Sequence, residues 1–147
     1  MADSLPPAVD IDETLNLTFE QSLKSRVFLI QRLSDIVCWP ATRIPAHERE
    51  LAADVLVGLL RTASSELRER CAARLALLVE APKMLLRYLA RDEIGVARAL
   101  LEASLALDDS DLLATIRSGV SAHWQAIASR RSLSPLVCEA LIGTGDS

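Results

Sequence analysis

Apolar residues recur three and four positions apart along most of the chain, which is the spacing of one face of an α-helix. The longest such stretch starts at Thr18, a predicted N-cap with Gln21 as its capping-box partner, and ends at about Cys38. Its apolar positions cover so much of the helix surface that another element must pack against it. We therefore predict a first helix over residues 18–38 that caps the helices after it.

Shorter helices are predicted after a linker that ends at Pro45. Pro82 and Pro135 occupy favoured first helical positions, and Ser134 is the predicted cap of the last helix. No segment alternates apolar and polar residues with a period of two, so no β-strand is predicted. The predicted ranges are 47–62, 65–78, 82–90, 93–105, from the acidic cap 108–111 to about 118, 122–130 and 134–143.

The short helices form pairs of similar sequence. One hairpin of two helices cannot bury its own apolar face, so neighbouring hairpins must stack on each other. The sequence therefore predicts an all-α fold: a HEAT-like right-handed helical-repeat solenoid of about three and a half helical hairpins over residues 47–147. The last helix lacks a second helix, so we expect a longer natural chain or a partner over this open C-terminal end. The matching positions are Leu56, Leu85, Leu112 and Val137, each followed one turn later by Leu60, Leu89, Ile116 and Leu141.

Two parts of the sequence carry a family resemblance. The stretches Asp92–Leu101 and Leu107–Leu113, followed by Ser121–Arg131, resemble the bacterial HEAT-like repeat family catalogued as domain of unknown function 2336. The resemblance covers roughly Leu51–Asp146. It implies a helical-repeat fold and brings no settled activity. Family members are usually longer, so the resemblance also raises the expectation of further repeats after Gly145-Asp146.

Composition agrees with one helical domain. The chain has 147 residues, of which 50% are hydrophobic and only 3% aromatic, so Leu, Ala, Ile and Val must form the core. The net charge of −4 is uneven, because the first twenty residues contain five acids and no Lys or Arg. We predict a flexible acidic arm over residues 1–17, as a solubilising tail or alternatively a docking segment, and a single domain over 18–147. The strong basic excess of many nucleic-acid binders is missing.

The three cysteines, Cys38, Cys71 and Cys138, are far apart and form no CxxC pair, so neither a zinc site nor a disulfide is predicted. Reduced thiols and the lack of a signal-peptide pattern at the N-terminus indicate a cytoplasmic protein. The longest stretch without Asp, Glu, Lys or Arg is Ser118–Ser129, which is too short to span a bilayer.

No catalytic, metal or cofactor site is predicted. The acids Asp108, Asp109 and Asp111 are interpreted as a helix cap, because a calcium loop needs further ligands and a Gly at its sixth position. A thiol nucleophile beside a base, such as Cys71 with His123, would need an oxyanion site that the sequence does not indicate. We therefore do not expect an enzyme.

The expected function is a non-enzymatic interaction, scaffold or regulatory module that binds a protein partner through the repeat surface. The alternative is nucleic-acid binding through a concave face lined by arginines. A homodimer through the Thr18–Val37 helix or the open C-terminal end is a further expectation. The arginines considered are Arg68, Arg70, Arg74, Arg87, Arg91, Arg98, Arg117, Arg130 and Arg131.

The candidate partner-binding residues lie in the second helices of the hairpins and just after them. For each, the simpler interpretation is structural: a bonded histidine, a packed tryptophan, and arginines in ion pairs or on helix-end carbonyls. An apolar groove would favour a protein partner, whereas a common face for Arg68, Arg74, Arg98 and Arg130 would favour nucleic acid. The candidates are His123, Trp124, Arg130, Arg131, Arg98 and Arg74.

Overall fold

The computed structural model describes residues 11–39 and 44–145, with the side chains of residues 11–20 and 145 outside that description. In this part of the chain the protein forms eight α-helices and no β-strand, which confirms the predicted all-α class. The helices are α1 (Ile11–Cys38), α2 (Ala46–Leu60), α3 (Ser65–Leu75), α4 (Lys83–Ala90), α5 (Ile94–Ala103), α6 (Asp109–Ser118), α7 (Ser121–Ala128) and α8 (Pro135–Gly145).

The first helix is longer than predicted, since α1 begins at Ile11 rather than at Thr18. Residues 11–17 are therefore helical and not part of a flexible arm, and Thr18 lies inside the helix instead of capping it. The stretch 11–17 contains neither Gly nor Pro, so no residue in it strongly opposes a helix. Residues 1–10 of the predicted arm lie outside the described residues.

The predicted repeat positions are the core of the fold. Leu56, Leu85 and Val137 have no exposed surface, and Leu112 has only 4%. One turn further along the same helices, Leu60, Leu89 and Ile116 are buried, and Leu141 is half-buried. The sequence spacing of the repeats therefore coincides with the buried face of α2, α4, α6 and α8.

The helices pack both on their neighbours in sequence and on the helix after next. Helix α3 packs against α5 and α5 against α7, while α2 packs against α4 and α6 against α8. Helix α4 also contacts α5, and α6 contacts α7. These contacts place α2 beside α4 and α6 beside α8, and the first pair brings the solvent-facing side chains of α2 and α4 together.

Helix α1 packs on α2 and α3 through Ile30 and Val37, which are buried. Its end at Cys38 agrees with the prediction. Near the start of this contact, Arg26 Nη1 donates to Thr62 Oγ1 at 2.7 Å, just after the end of α2. Part of the apolar surface of α1 stays uncovered by the described residues, because Phe28 is 61% exposed. No helix in the described ranges has the length and apolar character needed to cross a membrane.

Candidate binding groove

A groove of about 550 Å³ lies between the C-terminal half of α2 and the length of α4, and Arg68 of α3 also lines it. Its position follows from the packing of these helices, which bury their repeat leucines and leave the adjacent positions facing solvent. Arg61 and Arg91 are the C-cap residues of α2 and α4, a place where the negative end of the helix dipole favours a cation. The groove is lined by Val57, Arg61, Arg68, Met84, Arg87, Tyr88, Arg91 and Asp92.

Two of the four groove arginines are held by carboxylates. Arg68 Nε lies 2.7 Å from Asp92 Oδ2, and its Nη1 donates to the carbonyl oxygen of Ala63 at 2.7 Å. Arg87 Nε lies 2.7 Å from Asp111 Oδ1. These contacts fix the orientation of Arg68 and Arg87 and offset much of their charge.

The other two groove arginines are exposed. Among the described residues, neither Arg61 nor Arg91 has a carboxylate partner or a side-chain hydrogen bond. Beside them, the side chain of Met84 is 52% exposed and Tyr88 is half-buried. The groove therefore presents two guanidinium groups next to an apolar surface.

The carboxylate of Asp111 stabilises the α4 side of the groove. Its side chain is only 2% exposed and accepts hydrogen bonds from Lys83 Nζ at 2.7 Å and from Arg87 Nε at 2.7 Å. Burial alone would raise the pKa of Asp111, but these bonds and one from the backbone N–H of Asp108 lower the pKa to about 2. Asp111 is therefore ionised at any ordinary pH.

Asp111 also takes part in the N-terminal cap of α6. The side chain of Asp108 accepts from the Asp111 N–H at 2.9 Å, and Asp111 Oδ2 accepts from the Asp108 N–H at 3.1 Å. This reciprocal capping box agrees with the predicted role of the acidic cluster. Within the described parts of the chain, no group of three or more His, Cys, Asp or Glu side chains is placed to hold a metal ion.

His123 lies inside the fold rather than on its surface. Its side chain is buried, and Nε2 lies 2.7 Å from the carbonyl oxygen of Asp92. The carboxylate of Asp92 also accepts a hydrogen bond from Arg68 Nε. Asp92, in the turn before α5, therefore connects Arg68 of α3 with His123 of α7. Nδ1 of His123 is buried with no hydrogen-bond partner among the described residues. The contact with Asp92 agrees with the structural interpretation of this histidine.

Trp124 and Arg130 also bond to helix-end carbonyls. Trp124 Nε1 donates to the carbonyl oxygen of Ile116 at 2.9 Å, in the last turns of α6. Arg130 Nη1 donates to Leu101 O at 2.8 Å, and its Nη2 donates to Ser104 O, so Arg130 satisfies the C-terminal end of α5. Burial lowers the pKa of Arg130. The predicted contact of Arg130 with helix-end carbonyls is thus present, but it reaches α5 and not its own helix.

The C-terminal part of the chain matches one known protein family. Residues 96–147 match the family described as "Uncharacterised protein conserved in bacteria (DUF2336)". The predicted resemblance is thereby confirmed over these residues, which are fewer than the expected Leu51–Asp146. No curated protein and no solved structure gives a significant match to the chain.

The DUF2336 segment, residues 96–147, contains most of the sequence-predicted site residues, whereas the groove residues precede it. Within the DUF2336 segment, Arg98 Nη1 lies 3.7 Å from Glu102 Oε2, and both residues belong to α5. Arg131 is exposed beside a second depression that Leu105 and Ser132 also line. The partner-binding role of Arg98 and Arg131 stays a prediction.

The arginines named as a test of nucleic-acid binding do not line one groove. Arg74 precedes the DUF2336 segment and forms an ion pair with α1, in which its Nη1 lies 2.8 Å from Asp35 Oδ1. Arg68, Arg98 and Arg130 have the separate partners described above. The structure instead brings Arg68 together with Arg61, Arg87 and Arg91.

Sequence analysis did not select Arg61 or Met84 as site residues. A signal for Arg61 was present, because it directly follows the repeat leucine Leu60, and Arg91 follows the equivalent Leu89 by two positions. Arginines at the ends of the first helices of two consecutive predicted hairpins indicate that their side chains lie at the same edge of those helices. That they share a groove depends on the packing of α2 on α4, which no local pattern specifies.

Proposed function

We propose that this protein is a non-enzymatic interaction module that binds a protein partner through the groove between α2 and α4. The observation that carries the proposal is the pairing of two unpartnered arginines, Arg61 and Arg91, with the exposed side chain of Met84 in one groove. Interfaces favour this combination, because Arg and Met are enriched in them relative to other surface residues.

The proposal includes a HEAT-like right-handed solenoid of about three and a half helical hairpins, with α1 as its N-terminal cap. It is supported by the contacts of α3 with α5 and α5 with α7, and by the burial of equivalent residues in alternate helices. The packing of α1 on α2 and α3 supports the capping role. Repeats of this kind present extended surfaces to partners, and the groove lies on such a surface.

Burial disfavours two of the thiols, Cys38 and Cys71, as catalytic nucleophiles. Burial raises the pKa of Cys71 to about 11, although a hydrogen bond from Ser34 Oγ at 3.7 Å acts in the opposite direction. Burial also raises the pKa of Cys38. Because the thiolate is the nucleophile, thiols held in the protonated form are poor catalytic groups.

A second copy of the chain is the alternative partner. This possibility is favoured by the exposed Leu23, Phe28 and Leu29 of α1, and by Ile142 of α8, which is 65% exposed. Light scattering coupled to size-exclusion chromatography distinguishes the two cases. A concentration-dependent dimer that Phe28→Glu disrupts would identify α1 as a self-association surface.

The test of the proposed function is affinity capture from bacterial lysate with the full chain as bait. We compare wild type, the groove variant Arg61→Gln/Arg91→Gln and the matched control Arg32→Gln/Arg117→Gln, each with and without nuclease. Arg32 and Arg117 are exposed and lie outside the groove, and the control removes the same charge. We expect one protein that wild type and the control retain, and that the groove variant loses, in both nuclease conditions.

Two results would overturn the proposed function. If the wild-type chain retains no protein above background, the basis for an interaction module is removed. Retention only of nucleic acid, or of proteins that nuclease treatment releases, would move the function to the alternative of nucleic-acid binding.

A further inference from the structure

We infer that the groove between α2 and α4 binds a short acidic segment of the partner, with carboxylates on Arg61 and Arg91 and an apolar side chain against Met84. This inference rests on the proposed function and adds the chemistry of the bound segment.

The charge of the groove is complementary to carboxylates. Arg68 donates through Nε, Nη1 and Nη2 to Asp92 and to the carbonyl oxygen of Ala63, so it has little donor capacity left. Arg87 donates to Asp111 through Nε alone, and Asp111 offsets part of its charge. Arg61 and Arg91 remain as planar cations with unused N–H groups among the described residues. A guanidinium group binds a carboxylate through two parallel hydrogen bonds, so each of these arginines can take one acidic side chain.

The apolar part of the groove lies beside these two cations. Met84 is 52% exposed, and Val57 and Tyr88 line the same groove. A methionine side chain is flexible and polarisable, so it adapts to differently shaped apolar groups. A segment that carries a Leu, Ile or Met between its acids would therefore gain contact area as well as charge pairing.

The groove favours a peptide over a nucleic acid. A nucleic-acid backbone carries a negative charge at every nucleotide and requires a row of free cations. Here two of the four arginines already have carboxylate partners, so the lining offers no continuous row of unpaired cations for successive phosphates. Tyr88 is the one aromatic side chain in the groove, whereas single-strand binders commonly stack several bases on aromatic rings.

The size of the groove limits the bound segment. Its volume of about 550 Å³ lies within the range of about 300–1,000 Å³ typical of small-ligand clefts. Such a space holds a few side chains and not the full length of a helix. The expected segment is therefore short, with its acids on either side of one apolar residue.

Fluorescence anisotropy with a defined probe tests this inference. The probe is a fluorescein-labelled peptide in which Glu pairs flank one Leu within a Gly-Ser sequence. Two reference probes are the same peptide with Gln in place of Glu, and an oligothymidylate of similar length. Each is titrated with the full chain as wild type, as Arg61→Gln/Arg91→Gln and as Arg32→Gln/Arg117→Gln, after circular dichroism has verified that all three are folded.

We expect saturable binding of the Glu peptide by wild type, at least about tenfold tighter than binding of the Gln peptide. The groove variant should lose about tenfold in affinity, and the control variant should change by less than about twofold. Equal binding of the Glu and Gln peptides, or equal loss in both variants, would overturn the inference. Tighter, Arg61-dependent binding of the oligothymidylate would overturn it in favour of nucleic acid.

Failure of this inference is distinguishable from failure of the proposed function. If wild type captures a partner that Arg61→Gln/Arg91→Gln loses while the Glu and Gln peptides bind equally, the proposed function stands and the acidic chemistry of the segment fails. If that partner is retained equally by Arg61→Gln/Arg91→Gln, the groove is not its binding site and both proposals fail. If the Glu peptide binds as expected while lysate capture yields nothing, the groove chemistry stands without a partner in that lysate.

Discussion

Lys83 Nζ lies 2.7 Å from Asp111 Oδ2, and this ion pair joins α4 to α6. The same carboxylate receives Arg87, a residue that lines the groove, and completes the N-terminal cap of α6. Lys83 also donates to the carbonyl oxygen of Ala106 at 2.8 Å. The helix that forms one side of the groove is thus held in position by the start of the next hairpin.

Replacement of Asp111 should destabilise the fold more than replacement of a neighbouring acid. Asp111→Asn removes a buried charge that Lys83 and Arg87 both contact, and we expect a loss of about 2 kcal/mol in the free energy of unfolding. Asp109→Asn is the matched control, because Asp109 is exposed in the same helical turn. Urea denaturation of both variants measures the difference, and equal stability would contradict the role given to Asp111.

The contribution of Asp111 should depend on pH in a defined direction. Its pKa is about 2 in the folded protein against an ordinary value of 3.8, so the folded state favours the ionised form. The stabilisation is therefore present above about pH 4 and is lost as the pH falls towards 2. The stability difference between wild type and Asp111→Asn should shrink over this interval, as followed by chemical denaturation at each pH. A difference that stays constant from neutral pH to pH 2 would be inconsistent with the lowered pKa.

Two glycines should respond to alanine in opposite directions. A Cβ at Gly119 would lie 2.6 Å from the carbonyl oxygen of Thr115 and 3.0 Å from Cβ of His123, so Gly119→Ala should destabilise the protein. A Cβ at Gly58, within α2, would meet nothing within 4 Å. Gly58→Ala should therefore stabilise the protein by about 0.5–1 kcal/mol through helix propensity. Thermal unfolding of both variants checks the signs, and a stabilising Gly119→Ala would show that His123 does not pack closely there.

The guanidinium of Arg130 should be needed for the end of α5. Arg130→Ala leaves the carbonyls of Leu101 and Ser104 without this donor, and we expect a loss of about 1–3 kcal/mol. Arg130→Lys should restore only part of it, because an ammonium group cannot span several carbonyls as a planar fork does. Arg131→Ala, at an exposed neighbour, should change stability by less than about 0.5 kcal/mol. Denaturant titration separates these cases, and a neutral Arg130→Ala would contradict the capping role.

Much of the helical core was predictable from the spacing of apolar residues along the sequence. Leu56, Leu85 and Val137 were selected by spacing alone, and all three are fully buried. The start of α1 was predicted wrongly because Thr18 and Gln21 match a capping box, yet nothing before them interrupts a helix. A local motif permits a helix start without requiring one.

The contacts of the candidate site depend on how helices far apart in the sequence pack together, which local sequence patterns do not specify. The simpler, structural interpretation placed Arg130 on helix-end carbonyls, but which helix supplies them is decided by the packing of α7 against α5. Arg61 and Arg91 lie thirty positions apart and line one groove only because α2 packs on α4. Packing, and not local propensity, therefore assembles the site.

The most direct test of the central claim uses the two methionines of the chain, Met1 and Met84, as methyl probes. Methyl-labelled protein is titrated with the Glu and Leu peptide and followed by NMR. The account predicts a saturable shift of the Met84 methyl resonance, an unmoved Met1 resonance, and loss of the shift in Arg61→Gln/Arg91→Gln. Peptide binding that leaves the Met84 resonance unchanged would contradict the assignment of the groove as the binding site.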